Sequence, residues 1–181
     1  MSGMNPDKIS RMIRVNQAGE YGATRIYAGQ LAVLKGTPAE ETLQEMAIQE
    51  AGHLNKFNRL IIEKQIRPTV LQPLWYVGGY LLGMVTAKIS EKAAHACTIA
   101  VEEAIDEHYQ SQLKYLEMSN AASIDPATTS LGELIEECRL DEVAHKETAI
   151  GLGGREAPAY NLLTTAIKTI SRAAIWLSSR V

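Results

Sequence analysis

Cysteine, phenylalanine and tryptophan are scarce in this chain, which has two cysteines, one phenylalanine and two tryptophans in 181 residues. Cys97 and Cys138 stand far apart and form no Cys-x-x-Cys, so they supply neither a disulfide framework nor the knuckles of a structural zinc site. Both are expected to be buried thiols in a reducing compartment. The shortage of Phe and Trp beside plentiful Ala, Leu and Ile disfavours a β-sandwich and favours helices. Positive charge is not in excess. Eighteen Lys and Arg face 21 Asp and Glu, a formal net charge of −3, which argues against a broad nucleic-acid-binding surface. The N-terminal residues 1–8 lack the apolar core of a signal peptide, so the protein is expected to start and stay inside a cell. The charge-free run 73–87 is shorter than the roughly 20 residues a membrane-spanning helix needs.

What the chain does contain is helical punctuation. A first helix is expected over 7–35, ending at Gly36. Thr37, Pro38 and Glu40 then read as an N-cap, a first-turn proline and a capping-box acid, opening a second helix over 37–67 that Pro68 ends. The apolar run 73–87 follows, then a third long helix over 90–118 and a loop over 119–129 rich in Asn, Ser, Thr and Asp-Pro. Ser130 and Glu133 form a second capping box, opening a fourth helix that reaches the glycines at 151–154. A last helix is expected over 159–179. The length suits a single domain spanning 1–181.

Within those helices lies a twofold pattern: Glu20 then Glu50-Ala-Gly-His53, and Glu102 then Glu142-Val-Ala-His145. Positions i and i+3 share a helix face, so each Glu-x-x-His aims a carboxylate and an imidazole at one point. Glu20 and Glu50 would lie about 45 Å apart on one continuous helix. The break at Gly36 instead folds them back to back, and the 119–129 loop does the same for Glu102 and Glu142. The chain therefore reads as two helical hairpins joined by a crossover. The fold class is all-α, a ferritin-like four-helix bundle with additional short apolar helices, whose interior takes a pair of iron or manganese ions. Four buried carboxylates need cations between them, and two divalent ions balance four glutamates. Hard oxygens with two imidazoles and no thiolate favour iron or manganese over zinc. Glu50 and Glu142 are expected to bridge the ions, with Glu20 and Glu102 terminal.

Each piece has a plainer reading. One Glu-x-x-His on a helix is more often a solvated pair, and it is the repetition that carries weight. Glu103 rivals Glu102, but Glu102 shares a face with Tyr109 and lies between Ile99 and Ile105. Glu91, Glu107, Glu133, Glu136, Glu137 and Glu147 read as solvated, and His95 and His108 as surface or core residues. Tyr109 is the one further candidate for the catalytic centre, as a hydrogen-bond donor beside the metals. Asp141, four residues before His145, is placed to orient an imidazole, a role an adjacent helix could also fill. Gly19 and Gly22 suit close approach of a helix or a ligand. Trp75, Tyr76, Tyr80 and Trp176, with Lys168 and Arg172, suit contact with a membrane interface.

Taken together, the residues resemble the demethoxyubiquinone hydroxylase family of ubiquinone biosynthesis. The resemblance rests on the segments 14–23 (Arg-Val-Asn-Gln-Ala-Gly-Glu-Tyr-Gly-Ala) and 25–29 (Arg-Ile-Tyr-Ala-Gly) and on Glu50 to His53. It continues through Arg67-Pro-Thr-Val-Leu71, Pro73-Leu-Trp75, Ala96-Cys-Thr-Ile-Ala-Val-Glu-Glu103, Asp141 to His145 and Ala157-Pro-Ala-Tyr160. It implies a peripheral membrane monooxygenase in which two Fe ions, reduced at the expense of NADH, use O₂ to hydroxylate the ring of a polyprenyl methoxy-benzoquinol. The implied ligands are Glu20, Glu50, His53, Glu102, Glu142 and His145. The implied partners are the quinol, a membrane surface and other ubiquinone-biosynthesis proteins, with no nucleic acid. The implied location is the cytoplasmic face of a bacterial inner membrane or the matrix side of the mitochondrial one. Alternatives from other classes are a ferritin-like ferroxidase or peroxide scavenger, a tRNA-modifying hydroxylase, and a quinone-binding scaffold without catalysis.

Overall fold

A computed structural model describes residues 6–120 and 126–181. Among these the order is α1 (Pro6–Leu34), α2 (Glu40–Glu63), α3 (Gln72–Ile89), α4 (Glu91–Asn120), α5 (Pro126–Gly151), a short 3-10 turn (Gly154–Glu156) and α6 (Tyr160–Ser178). The described residues contain no strand, and the expected all-α, ferritin-like architecture is what forms.

The helix ends show how sequence signals were redirected. Gly36 takes the left-handed conformation at φ 79° and closes α1. The Thr37 hydroxyl turns back to donate to the Leu34 carbonyl (2.7 Å), and the Gly36 N–H donates to Glu40 Oε2 (2.6 Å). The expected capping box is therefore a turn that ends α1, and α2 starts at Glu40 without a side-chain cap. At its other end α2 stops at Glu63, short of the expected Arg67. Gln65 adopts φ 51°, its N–H bonds Ile62 O, and the Ile66 N–H bonds Ile61 O at 2.9 Å. This reversal lets Ile66 rejoin the core beside Ile61, before Pro68 is reached. Ser90 makes a one-residue corner between α3 and α4, its extended backbone and its hydroxyl capping Ala93. α4 continues to Asn120, and α5 begins at Pro126 rather than Ser130, because proline fits the first turn. Of the expected 119–129 loop, residues 121–125 lie outside the described residues.

α1 with α2 and α4 with α5 form the two expected hairpins. The crossover helix α3 lies along α1 at backbone contact. A Cβ on Gly83 would strike the Ile26 carbonyl, and one on Gly29 would come within 2.7 Å of Met84 N. The close approach on α1 therefore uses Gly29, while a Cβ at Gly19 or Gly22 would meet nothing within 4 Å. α6 covers α4 through Arg172–Glu107 (2.9 Å) and a Lys168–Glu103 ion pair, and the Trp75 indole donates to Ser178 Oγ (3.0 Å). Lys168 and Arg172 thus bind protein carboxylates rather than standing free for a lipid surface. Trp75 likewise ties α3 to α6. Met12, Ile13, Phe57, Ile105 and Ile135 fill the core that runs through both hairpins.

Candidate metal centre

Helical periodicity brings the six residues together. Glu20 comes from the middle of α1, Glu50 and His53 from α2, Glu102 from α4, and Glu142 and His145 from α5. None is more than 3% exposed. Their ligand atoms fall into two overlapping groups, Glu20, Glu50, His53 and Glu142 in one and Glu50, Glu102, Glu142 and His145 in the other. Within each group the atoms lie within 4.8 Å of one another. Glu50 and Glu142 belong to both groups, and Glu20 and Glu102 belong to one each. His53 Nδ1 lies 3.4 Å from Glu142 and 3.5 Å from Glu20, and His145 Nδ1 lies 3.1 Å from Glu50 and 3.3 Å from Glu142.

The outward ends of these side chains are tied down, whereas the inward ends are bare. His53 Nε2 pairs with Asp141 Oδ2 (2.9 Å), and His145 Nε2 pairs with Gln49 Oε1 (2.7 Å). With the proton held at Nε2, each imidazole presents the lone pair of Nδ1 inward, which is how a metal-ligating histidine is oriented. The Tyr27 hydroxyl donates to Glu102 Oε1 (2.9 Å), and the Tyr109 hydroxyl donates to Glu20. Glu20 Oε2, Glu102 Oε2, both oxygens of Glu50, both of Glu142, and Nδ1 of each histidine have no hydrogen-bond partner. Bare buried atoms on this scale are costly unless a cation fills the space between them.

Charge tells the same story. Burial first, then the neighbouring carboxylate of Glu142, push Glu50 and Glu102 well above the usual carboxylate range, and burial also raises Glu20. Burial works against Glu142 too, but the facing imidazoles of His145 and His53 outweigh it and hold that carboxyl at about 2. His53 is opposed by burial yet lifted to about 11 by Glu142 and Glu20. Without an ion, protons must therefore stand in for the missing positive charge. The donor set of carboxylates and imidazoles, its bare atoms and its surplus of negative charge fit a pair of divalent cations.

Tyr109 takes the expected place as a donor beside the cluster. Sequence reading missed its counterpart Tyr27, although the signal was present: Tyr27 follows Glu20 by seven residues, as Tyr109 follows Glu102. Each tyrosine serves the glutamate of the other hairpin. Gln49 and Asp141 obey the same crossed rule, each preceding its own Glu-x-x-His but bonding the histidine opposite. Asp141 therefore orients His53 rather than His145. The remaining acids stay outside. Glu103 and Glu107 pair with α6, Glu136 with Arg139 (2.7 Å) and Glu137 with Lys56 (2.9 Å). His95 is a buried core residue, and His108 is half-buried, accepting a hydrogen bond from Gln112 (2.7 Å). Cys138 also reaches the cluster, with Sγ in a group with Glu20 and His53.

On the far side of the α1–α4 seam lies an apolar cavity of about 220 Å³. Val15, Gly19, Gly22 and Ile26 of α1, Gly78 and Leu82 of α3, Val101 and Ile105 of α4, and Ile175 of α6 contribute to its walls. It is larger than the roughly 150 Å³ apolar cavity that accepts benzene. Gly19 and Val101 adjoin Glu20 and Glu102 in sequence, so the same two helices present the cavity wall on one face and carboxylates on another.

Residues 7–178 match the family model described as ubiquinone biosynthesis protein COQ7. The chain is 47% identical over 173 residues to the NADPH-dependent 3-demethoxyubiquinone 3-hydroxylase, mitochondrial, of Dictyostelium discoideum, covering 96% of this chain and 77% of that protein. It is 45% identical over 177 residues to the 3-demethoxyubiquinol 3-hydroxylase of Rhodospirillum rubrum, covering 96% and 78%. The human NADPH-dependent 3-demethoxyubiquinone 3-hydroxylase, mitochondrial, is 44% identical over 185 residues, covering 99% and 83%.

Proposed function

Because this chain belongs to the COQ7 family of ubiquinone biosynthesis proteins, we propose that it hydroxylates the ring of a demethoxyubiquinol as one ferritin-like di-iron domain spanning 1–181. The observation that carries this reading is the pair of overlapping ligand groups sharing Glu50 and Glu142, across the α1–α4 seam from an apolar cavity. Glu20, Glu50, His53 and Glu142 would hold one ion, and Glu50, Glu102, Glu142 and His145 the other. When bound, the irons supply activation of O₂, one atom of which enters the ring while the other leaves as water at the expense of two electrons.

The chain's own residues then do the rest. Tyr27 and Tyr109 hold the terminal carboxylates by their outer oxygens, and Gln49 and Asp141 fix the imidazole tautomers. Tyr109 is a positioning residue, since its hydroxyl is engaged by Glu20. The cavity gives the quinol an apolar place to bind beside the two helices that carry Glu20 and Glu102. Electrons come from a reduced nicotinamide nucleotide. The resemblance implied NADH, whereas relatives carry NADPH-dependent in their names.

No helix among the described residues is long and apolar enough to cross a membrane. A polyprenyl quinol nevertheless resides in a bilayer, and Leu74, Val77, Leu81 and Val85 are exposed along one face of α3, with Ile170 and Trp176 exposed on α6. This apolar surface rests on the membrane interface, at the cytoplasmic face in a bacterium or the matrix face in a mitochondrion.

The test is to load the protein with iron, supply O₂, a short-tailed demethoxyubiquinone analogue and either NADH or NADPH, and follow ring mass. Gain of one oxygen atom that depends on iron is expected. Oxidation of Fe²⁺ with no gain on the ring would support the ferroxidase alternative instead. Leu81→Asp should lower turnover of long-tailed quinol in vesicles while sparing the short-tailed analogue, and equal loss on both would remove the membrane-facing role of α3.

A further inference from the structure

The two halves of the metal centre are not equivalent. Along α5, Cys138, Glu142 and His145 follow the spacing i, i+4 and i+7 and share one inward face. The matching positions in α2 are Met46, Glu50 and His53, so a thioether stands where the other hairpin has a thiol. Cys138 and Met46 are both buried. Sγ of Cys138 and one ligand atom each from Glu20 and His53 lie within 4.8 Å of one another. Glu20 and His53 are 1% and 2% exposed, and each keeps a buried donor atom, Glu20 Oε2 and His53 Nδ1, without a hydrogen-bond partner. A thiol therefore sits beside two bare, buried donors of different kinds.

Sulfur, nitrogen and oxygen donors from three residues are a ligand set for a four-coordinate, thiophilic divalent ion. Such an ion also stands above Fe²⁺ in intrinsic affinity for most mixed donor sets. The all-carboxylate-and-imidazole group around Glu102 and His145 offers no sulfur. We propose that Cys138, Glu20 and His53 form a second, sulfur-containing cation site, zinc by class, that overlaps the Glu20–His53 position and competes there with iron. The inference rests on the reading that these carboxylates hold metal. On binding, the Cys138 S–H bond breaks, its proton leaves to solvent and a sulfur–metal bond forms, with no change of oxidation state. The protein would thus discriminate unevenly between its two positions, with zinc entering at the first and excluding the iron that belongs there.

Cobalt(II) alone, added to the metal-free full-length protein, is the probe. Wild type should show the visible ligand-field bands of bound cobalt together with a near-ultraviolet thiolate-to-cobalt charge-transfer band. That band should vanish in Cys138→Ser and in Cys138→Ala, with the ligand-field bands kept, and should persist in Cys97→Ser. Zinc retention against a chelator should weaken in Cys138→Ser by roughly tenfold or more, since even an outer partner of a ligand is worth that much. Ligand-field bands without charge transfer in wild type would overturn the proposal and leave the carboxylate centre standing. A charge-transfer band that survives both Cys138 variants would overturn it as well. Absence of any cobalt binding would overturn both this proposal and the metal-centre reading beneath it.

Discussion

At the scale of single residues, the site is a set of groups that destabilise the metal-free fold. Glu50 is fully buried, has no partner for either oxygen, and is pushed well above its usual range by burial and then by Glu142. A carboxyl raised in this way weakens the fold at every pH above its unfolded value of 4.5, and ceases to do so below it. Glu50→Gln should therefore raise the stability of the metal-free protein at pH 7 by on the order of 1–3 kcal/mol and lose iron binding. Chemical denaturation alongside iron analysis checks both halves, and a variant that is less stable without metal would contradict the electrostatic reading. His108 supplies a pH dependence elsewhere. Burial lowers it from 6.5 to about 4, where the neutral ring accepts from Gln112, itself paired with Asn16 at 2.8 Å. The unfolded chain takes up a proton near 6.5 that the folded chain refuses, so this stabilisation is full above 6.5 and is lost as pH falls through about 4. His108→Gln should flatten the fall in denaturation midpoint between pH 7 and 5 relative to wild type. The clustering of the six residues was legible in the sequence because Glu-x-x-His states a helical face outright. Tyr27 and Gln49 were not read because their partners lie on the opposite hairpin, and a periodicity confined to one helix cannot show a crossed pairing.

At the scale of elements, punctuation was legible at Gly36 and Gly151, whereas the start of α2, its end and the start of α5 fell away from the expected residues. Gly36 ended α1 as expected, whereas the end of α2 was set by Gln65 in a left-handed conformation that glycine usually adopts. Thr37 and Ser130 each matched a helix-start pattern, but Thr37 closes the preceding helix and Ser130 lies inside α5. A capping box is a local signal, and the helix before it or a proline upstream can override it. The crossover was legible as an apolar segment, but its backbone contact with α1 was not. Gly83 presses on the backbone of α1. Gly83→Ala should separate α3 from α1 at a cost of about 1–3 kcal/mol, because a carbonyl cannot move aside as a flexible side chain can. Thermal unfolding of this variant checks the claim, with Gly78→Ala as the comparison, since a Cβ there meets nothing within 4 Å.

At the scale of the whole molecule, two hairpins enclose a carboxylate–imidazole cluster that neither can assemble alone. Each hairpin supplies a glutamate and a Glu-x-x-His, and each also supplies the tyrosine and the amide or carboxylate that steady the other's ligands. This exchange makes folding of the bundle and formation of the centre one event, so bound metal should raise the unfolding temperature and its removal should lower it. The apolar cavity and the exposed face of α3 belong to this scale as well, since they arise only when α3 and α6 close over α1 and α4. The central claim is that Glu50 and Glu142 are shared by two ions. The most direct measurement is anaerobic titration of the metal-free protein with Fe²⁺, counting ions bound per chain in wild type and in Glu142→Ala. Saturation at two ions in wild type, with loss of both in the variant, is the predicted result. Saturation at a single ion in wild type, or two ions retained in Glu142→Ala, would contradict it.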